Sequence, residues 1–400
     1  MSPATSFLRQ AARSVLARPA NATSAAATSA LRGIATATGM APGSSLGAGG
    51  EAGGAEPATA VASQPLAEGE KFKVLFCGDE FPEAYTYSAE LLHQEPNMEV
   101  SWHPRGEIPR RIRDCHVVVP RMTRLDAGTI AEASKLQLIV QFGVGLEGVD
   151  VAAATERGIR VGRIPSADTG NAVSCAEHAI YLALALLRKQ KGMQESVQQQ
   201  RLGQPIGQTI FGKSALIVGY GGIGKALAAR LRAFGVTWMG GVRKGWAGAH
   251  GRKGEGKDEP DGLLDEWGGP ESLQGMLPVA DLVFLCCQQT TETIGMVDAG
   301  FLTAMKKSAI LINVARGGLL HYPSIHQALE SVSLAGLGID VAWQEPIDPL
   351  EPLLKHPNVI VTPHIAGVTE VSYRRMAQII HQTVLQVRNE ETLTHVELVN

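Results

Sequence analysis

Residues 215–234 read ALIVGYGGIGKALAARLRAF: an apolar run, a glycine-rich turn and a helix-like segment in direct succession. The run 215–218 predicts a buried strand, and the segment 225–234 predicts a helix. Between them stands a GxGxxG motif, made of Gly219, Tyr220, Gly221, Gly222, Ile223 and Gly224. The amides of such a turn, together with the N-terminus of the helix behind it, can hold a pyrophosphate. The stretch therefore predicts a Rossmann-type dinucleotide site, with a turn that serves packing alone as the alternative.

The end of the next predicted strand, 238–242, bears on which dinucleotide is bound. Sites that prefer NAD carry an Asp or Glu about 20 residues after the glycine motif, where it accepts hydrogen bonds from the ribose hydroxyls. Here Val242 is followed by Arg243 and Lys244, two cations and no carboxylate. Because cations suit a 2′-phosphate, we predict NADP over NAD as the cofactor. The alternative is that both side chains are solvated loop cations.

Short apolar runs alternate with helix-like stretches on both sides of this motif. We predict strands at 72–77, 117–119, 138–140, 159–161, 215–218, 238–242, 282–285, 309–313, 336–341 and 359–362, and helices at 127–136, 171–189 and 225–234. Alternation of this kind predicts an α/β fold with two parallel sheets, each covered on both faces. The Gly-rich, charged stretch 244–270 has no periodicity, and we interpret it as an exposed insertion.

The first 70 of the 400 residues differ in composition from the rest. They hold one aromatic residue, Phe7, and arginines from Arg9 to Arg32, with no acid before Glu51. An Arg-bearing, Ser/Ala-rich, acid-poor N-terminus is typical of an organelle transit peptide, and a plain disordered tail is the alternative. We expect residues 1–70 to be a transit peptide and linker, with the mitochondrion slightly favoured over the chloroplast. If this segment is not a transit peptide, we expect the protein to be in the cytosol.

Charge, hydropathy and cysteine usage argue against several classes of protein. The formal net charge is -3, and a mildly acidic chain does not show the excess of basic residues that binds nucleic acid or an anionic membrane. No apolar run approaches the roughly 18 residues that a membrane-spanning helix needs. The five cysteines show neither CxxC nor zinc-ligand spacing, so we expect no disulfide framework and no metal site.

Three polar segments each follow a predicted strand of the second sheet: NVARGG at 313–318, DVAWQEP at 340–346 and TPHIAG at 362–367. Ligands bind at the carboxyl ends of the strands in open α/β sheets, so we expect Arg316, Glu345 and His364 to converge beside the dinucleotide. Moving a hydride to a 2-oxo acid requires a fixed carboxylate, a polarised carbonyl and a proton donor. An Arg can meet the first two needs and a His the third, with a carboxylate to orient the His ring. The pattern predicts an oxidoreductase site.

From about Lys73 to the C-terminus the chain resembles the D-isomer-specific 2-hydroxyacid dehydrogenase family, through GYGGIGKALA, NVARGGLL, GIDVAWQEP, VTPHIAG, NAVSCAEHA and FGVGLEG. The resemblance implies that Arg316 is the substrate clamp, His364 the general acid/base and Glu345 its partner. It also implies contacts of the substrate carboxylate with the amides of Val144 and Gly145, and cofactor contacts from Gln288, Ala315 and Asp340.

The same resemblance implies a two-lobed molecule with a cleft between Rossmann-like or flavodoxin-like lobes. Residues 71–165 are expected to begin the substrate-binding lobe, 166–364 to form the NAD(P)-binding lobe, and 365–400 to complete the first lobe. The family habit further implies a homodimer built on the cofactor lobe, and the predicted helix 171–189 is our candidate contact.

Departures from the family pattern leave the substrate open. The turn after Gly145 continues LEGVD where relatives usually have DNID, and CCQQT at 286–290 stands where relatives commonly have HCPLT. Arg121 lies in a loop where relatives can have a second polar substrate contact, but we interpret it as a solvated loop cation. Trp343 either forms part of the substrate pocket wall or packs between the lobes.

The leading hypothesis is an NADP-preferring reductase of a small 2-oxo acid such as glyoxylate or hydroxypyruvate. A protein of another class, a dinucleotide-sensing binding protein similar to corepressors that keep this fold, is one alternative. A short form of phosphoglycerate dehydrogenase is the other.

Overall fold

The structure is a computed structural model that describes residues 69–165, 169–254 and 260–400. The described residues all belong to one compact unit. The transit-peptide prediction for residues 1–70 falls outside the described residues, apart from Gly69 and Glu70.

The strands form two sheets. In chain order they are β1 (Phe72–Cys77), β2 (Met98–His103), β3 (Val117–Val119), β4 (Leu138–Gln141), β5 (Arg160–Arg163), β6 (Ser214–Val218), β7 (Trp238–Val242), β8 (His250–Arg252), β9 (Glu266–Gly268), β10 (Leu282–Leu285), β11 (Ile310–Asn313), β12 (Gly336–Ile339), β13 (Val359–Val361) and β14 (Glu397–Leu398). Every strand predicted from the sequence is present, with ends that differ by at most two residues. The prediction of an α/β fold with two parallel-dominated sheets is confirmed.

The helices lie between these strands. They are α1 (Pro82–Leu92), α2 (Ile108–Arg111), α3 (Ala127–Ala131), α4 (Val151–Glu156), α5 (Asn171–Leu187), α6 (Gln190–Gln198), α7 (Gly222–Ala233), α8 (Leu273–Met276), α9 (Ala299–Ala304), α10 (Tyr322–Glu330) and α11 (Glu370–Arg388). The helix predicted at 127–136 ends early, at Ala131, because the chain turns there to bury Ala133 and Leu136 against the first sheet.

The first sheet has the order β14-β5-β4-β3-β1-β2, parallel except for the antiparallel pair β14 and β5. Helix α11 packs against α1, and its Tyr373, Met376 and Ile380 share one apolar cluster with Phe76 and Val119 of the sheet. The C-terminal segment of the chain thus completes the lobe that the residues from Phe72 to Arg163 begin.

The second sheet has the order β13-β12-β11-β10-β6-β7-β9-β8. From β13 to β9 all pairs are parallel, and only β8 runs antiparallel at the edge. Helices α5 and α7 supply apolar residues to the core on one face, and α8, α9 and α10 to the core on the other. From β6 the chain adds strands on one side, through β7 to β9, and then continues on the other side of β6 with β10. The crevice between β6 and β10 is therefore the topological switch point of the sheet, where ligands bind in such folds.

The interpretation of 244–270 as an exposed insertion is wrong in part. Strand β9 lies within it and pairs in parallel with β7, as the third strand of the Rossmann order. Leu264 and Trp267 are buried in the core of the second sheet. The strand is short and flanked by glycine and charge, so its two apolar anchors give no periodic signal. Residues 255–259 of this segment lie outside the described residues.

Within the described part of the chain, no helix has the length and apolar character to cross a lipid bilayer.

Candidate active site

Three neighbouring strands of the second sheet bring the predicted polar residues to one edge. Arg316 follows β11, Glu345 follows β12 and His364 follows β13. The loops after β11 and β12 touch at Gly317, where a Cβ atom would overlap the backbone carbonyl of Ala342. Only glycine permits this approach, which brings the Arg316 loop beside the Glu345 loop.

His364 and Glu345 form a hydrogen-bonded pair. Nδ1 of His364 lies 2.8 Å from Oε2 of Glu345, while Oε1 of Glu345 accepts a hydrogen bond from the amide of Ala342 at 3.0 Å. Both side chains are partly exposed, 29% for His364 and 22% for Glu345, so the ring is fixed but still reachable. A carboxylate at Nδ1 sets the orientation of the imidazole and leaves Nε2 for proton transfer.

The electrostatics of Glu345 favour the charged carboxylate. Burial raises the pKa of Glu345, but the hydrogen bond and charge of His364, the Ala342 amide and the charge of Arg316 together hold it below its ordinary value. Glu345 is therefore ionised at neutral pH and accepts the hydrogen bond from Nδ1 of His364.

Asp340 anchors the loop that carries His364. It is 1% exposed, and its carboxylate accepts hydrogen bonds from Thr362 Oγ1 at 2.6 Å, Ile365 N at 2.9 Å and Ala366 N at 2.8 Å. Its carbonyl accepts from the amide of His364 at 2.8 Å. This carboxylate thus braces the loop at the end of β12.

His178 of α5 extends the same network. Its Nε2 lies 2.8 Å from Oγ1 of Thr362, and that hydroxyl donates to Asp340. The Thr362 oxygen therefore accepts from His178, which puts the proton of a neutral imidazole on Nε2. Burial lowers the pKa of His178, against the opposing effect of Asp340, and so favours this neutral form. The sequence analysis did not predict a role for His178, although this residue lies in the NAVSCAEHA motif that carries part of the family resemblance.

Arg316 reaches from the second sheet to the turn after β4. Its Nε donates to Oε1 of Glu147 at 3.0 Å, and its Nη1 donates to the carbonyl of Ala315 at 2.8 Å. Its Nη2 and Oε2 of Glu147 both lie where a Cβ atom on Gly145 would stand. The guanidinium is thus beside Gly145, as expected, but it already has a carboxylate partner that the sequence analysis did not predict.

The turn that presents Val144 and Gly145 begins with an unusual backbone conformation. Gly143 has φ 130°, and its amide bonds the carbonyl of Gln141 at 2.9 Å. Val144 and Gly145 are half-buried and follow directly. Successive amides in such a turn can form an anion-binding nest, beside which Arg316 lies.

The glycine motif has the shape of a phosphate cradle. Gly219 has φ 101°, and a Cβ atom there would overlap the backbone of Cys287. At Gly221 the corresponding space is open to 4 Å. Helix α7 begins at Gly222, earlier than the predicted start at residue 225, so its first amides, including those of Ile223 and Gly224, belong to the cradle. The residues present therefore fit a pyrophosphate.

The remaining predicted cofactor residues surround this cradle. Arg243 and Lys244 are exposed at the end of β7, and Lys244 Nζ lies 2.5 Å from Oε2 of Glu292. Gln288 lies in the loop after β10, and its carbonyl accepts from Oγ1 of Thr293 at 2.9 Å. Ala315 is buried after β11, with its carbonyl bonded to Arg316.

One interpretation from the sequence is wrong. Arg121 is 5% exposed and donates to backbone carbonyls, so it is not a solvated cation. Trp343 has contacts within the second lobe. Its Nε1 donates to the carbonyl of Leu320 at 2.8 Å, and its ring contacts Tyr322 edge-on at 4.9 Å. Contacts with backbone carbonyls and with neighbouring rings cannot be predicted from a sequence pattern.

Among the described residues, no cluster of three or more His, Cys, Asp or Glu side chains could hold a metal ion.

Residues 180–366 match the sequence model of the family described as D-isomer specific 2-hydroxyacid dehydrogenase, NAD binding domain. A glyoxylate reductase of Thermococcus kodakarensis is 32% identical over 328 residues, which are 78% of this chain and 93% of that protein. A D-3-phosphoglycerate dehydrogenase of Archaeoglobus fulgidus is 32% identical over 305 residues, 73% of this chain but only 54% of that longer protein.

Two solved structures have a similar fold. The NADPH-dependent glyoxylate/hydroxypyruvate reductase of Sinorhizobium meliloti, in complex with NADP and malonate, has a TM-score of 0.68 and 25% identity, covering 82% of this chain and 97% of that one. The TT0316 protein of Thermus thermophilus has a TM-score of 0.68 and 29% identity, covering 81% of this chain and 99% of that one.

Proposed function

Because the chain belongs to the D-isomer-specific 2-hydroxyacid dehydrogenases, oxidoreductases that act on CH–OH donors with NAD or NADP, we propose that it reduces a small 2-oxo acid to its D-2-hydroxy acid. The observation that carries this proposal is the pair of His364 and Glu345, 2.8 Å apart, on strand ends adjacent to that of Arg316. The pair and the guanidinium match the needs of a proton donor and a carboxylate clamp.

Each of these side chains has a distinct task in the proposed reaction. Arg316 and the amides of Val144 and Gly145 bind the substrate carboxylate and direct the 2-oxo group towards His364. Protonated His364, oriented at Nδ1 by Glu345, donates the proton on Nε2 to the carbonyl oxygen. In the reverse direction the neutral ring accepts that proton. The nicotinamide, when bound, supplies or accepts the hydride.

We propose NADP as the preferred cofactor. The glycine turn would hold the pyrophosphate, while Gln288, Ala315 and Asp340 would lie on the cofactor side of the site. At the end of β7 there is no acid to accept ribose hydroxyls, and Arg243 makes no ion pair among the described residues. Its guanidinium is therefore available to a 2′-phosphate, whereas Lys244 is shared with Glu292.

Glyoxylate and hydroxypyruvate are the proposed substrates. Support comes from the glyoxylate reductases, which align over almost their full length, 93% in the Thermococcus protein. Phosphohydroxypyruvate is the competing substrate, since the phosphoglycerate dehydrogenases also match this chain, over 54% of the Archaeoglobus protein.

Oxidation of NADPH and NADH by the full chain, against glyoxylate, hydroxypyruvate, pyruvate and phosphohydroxypyruvate, tests the proposal. We expect turnover of glyoxylate and hydroxypyruvate, with a fall in kcat/KM of about 10²- to 10⁴-fold in His364→Ala, the usual contribution of an acid/base group. A preference for phosphohydroxypyruvate would instead favour the short phosphoglycerate dehydrogenase. Tight NADPH binding with no turnover of any acid would favour a dinucleotide-sensing protein.

We further propose that the chain forms a homodimer through its cofactor lobe. The candidate helix α5 is largely buried in its own lobe, with Val173 and Tyr181 among its exposed side chains. The segment after it, from α6 to β6, instead exposes a series of apolar side chains: Met193, Val197, Leu202, Ile206 and Phe211. Apolar surface of this kind favours association with a second copy.

An organellar location, in the mitochondrion rather than the chloroplast, is proposed on the composition of residues 1–70 alone. A fluorescent protein fused behind residues 1–70 should enter the organelle, and one with Arg9, Arg13 and Arg18 changed to Glu should not. Retention of the unaltered fusion in the cytosol would contradict the proposal.

A further inference from the structure

Phe81 and His364 are both held in the left-handed backbone region, and their rings meet. Phe81 has φ 54° and ψ 58°, and His364 has φ 56°. The ring centroids lie 5.4 Å apart with planes at 87°, an edge-to-face contact. Phe81 belongs to the loop between β1 and α1, whereas His364 follows β13. The contact therefore joins the two lobes at the proposed proton donor.

A bulky residue in the left-handed region is a conformational outlier. Such a residue costs free energy and persists only where its surroundings hold it, which happens most often at functional sites. For Phe81 the surroundings include a buried cation, the side chain of Arg121, which stands after β3.

The guanidinium of Arg121 is engaged with the loop that carries Phe81. Its Nη1 donates to the carbonyl of Phe81 at 2.8 Å. Its Nε and Nη2 donate to the carbonyl of Cys77 at 3.2 and 3.1 Å, and Nη2 also donates to that of Gly78. With 5% of Arg121 exposed, these carbonyls help to compensate its buried charge. Burial lowers the pKa of Arg121, and the charges of nearby groups, Glu80 and Asp79 among them, oppose that shift. Arg121 thus fixes both ends of the loop between β1 and α1.

The contact with Phe81 adds a second restraint to the hydrogen bond from Glu345. That hydrogen bond orients the plane of the His364 ring from one edge only, at Nδ1. A ring that packs edge-to-face restricts that plane. The two contacts together aim Nε2, the atom from which the proton is proposed to leave.

We infer that Phe81 is a positioning residue for His364 and that Arg121 acts on catalysis through Phe81. This inference rests on the proposed role of His364 in proton transfer. It adds to that role an aromatic contact from the other lobe. A buried cation, Arg121, holds the loop that makes this contact through hydrogen bonds to backbone carbonyls.

Three substitutions of Phe81 in the full chain separate the ring from the backbone. Phe81→Leu keeps an apolar side chain of similar size, Phe81→Tyr keeps the ring, and Phe81→Gly removes both the ring and the left-handed strain. We expect kcat for glyoxylate and hydroxypyruvate to fall about two- to tenfold in the Leu and Gly variants, the range of aromatic pair contacts, with KM unchanged. Phe81→Tyr should stay near the wild type. Equal kcat in the Leu and Tyr variants would overturn the inference.

A double-mutant cycle tests the part played by Arg121. Arg121→Lys removes the fork that reaches several carbonyls at once and should lower kcat on its own. Added to Phe81→Leu, it should cause little further loss, because both changes release the same ring. Fully additive losses would overturn the statement that Arg121 acts through Phe81.

A spectroscopic measurement keeps the inference separate from the proposed function. The ring protons of His364, assigned by their loss in His364→Gln, should carry a ring-current shift that disappears in Phe81→Leu and persists in Phe81→Tyr. If the wild type is active but the His364 signal does not change in Phe81→Leu, the inference is overturned and the proposed function stands. A wild type that shows the shift but reduces no acid overturns the proposed function, and the positioning role falls with it.

Discussion

Glu147 places a carboxylate oxygen 3.0 Å from Nε of Arg316, the residue proposed to clamp the substrate. The two side chains come from different lobes, and both lie beside Gly145, where the substrate carboxylate is expected to bind. They are 51% and 36% exposed, so the ion pair is solvated and weak. A substrate carboxylate can therefore replace Glu147 on Arg316 at little cost.

Removing this competing charge should tighten substrate binding. Exposed ion pairs contribute about 0.2 to 1 kcal/mol, so Glu147→Gln is expected to lower KM for glyoxylate by about 1.5- to 5-fold. The value of kcat should not change, because Glu147 does not contact His364 or Glu345 in the described structure. Steady-state kinetics with saturating NADPH measures both constants.

The matched control is Glu147→Asp, which keeps the charge but is one methylene shorter. If direct contact with Arg316 matters, this variant should also lower KM; if only the negative potential matters, it should keep the wild-type KM. A rise in KM in Glu147→Gln would show instead that Glu147 holds Arg316 in its working orientation.

Acid should remove the stabilising contribution of Glu345. The pKa of this carboxyl is lower in the folded chain than its ordinary value, so its ionised form stabilises the fold above the ordinary carboxyl range. That contribution is lost as the pH falls through the lowered pKa. We expect the unfolding free energies of the wild type and Glu345→Gln to differ fully above about pH 6 and to converge towards pH 3. Urea denaturation across this range measures the difference, and a gap that widens on acidification would contradict it.

How far sequence predicts this site depends on the kind of contact involved. Arg316, Glu345 and His364 could be placed together because each follows a buried strand, and parallel strands end at one edge of the sheet. The partners of Arg121 are carbonyls, which every residue has, so no pattern of side chains could predict them. The pair of Glu147 and Arg316 depends on how the two lobes meet.

The strands likewise differ in how far they can be predicted from the sequence. Strand β6 and the glycine turn are predictable, because four successive apolar residues precede a motif with a known geometry. Strand β9 holds only Glu266, Trp267 and Gly268, and it becomes a strand by pairing with β7. Propensity cannot identify a segment whose structure is fixed by its neighbour.

Arg243 should set the choice between the two dinucleotides. A hydrogen bond between charged groups contributes about 1.5 to 3 kcal/mol, so Arg243→Ala is expected to lower kcat/KM for NADPH by about 10- to 100-fold and to leave NADH unaffected. Lys244→Ala, the matched control, should lose less because Lys244 also pairs with Glu292. Fluorescence titration with NADPH gives the same comparison without turnover. Equal use of both dinucleotides, unchanged in Arg243→Ala, would remove the NADP preference.

Charge placed on the exposed apolar segment after α5 should separate the proposed dimer. Leu202 is 99% exposed and Ile206 85% exposed, values that a partner subunit would be expected to reduce. In Leu202→Asp and Ile206→Asp the measured mass should fall from about twice the chain mass to 42.3 kDa, because an unpaired carboxylate in an apolar interface is costly. Sedimentation at several protein concentrations measures this mass. Leu350→Asp, at a residue 76% exposed in another part of the chain, should leave the mass unchanged. A wild type that sediments as a monomer at all concentrations would contradict the dimer itself.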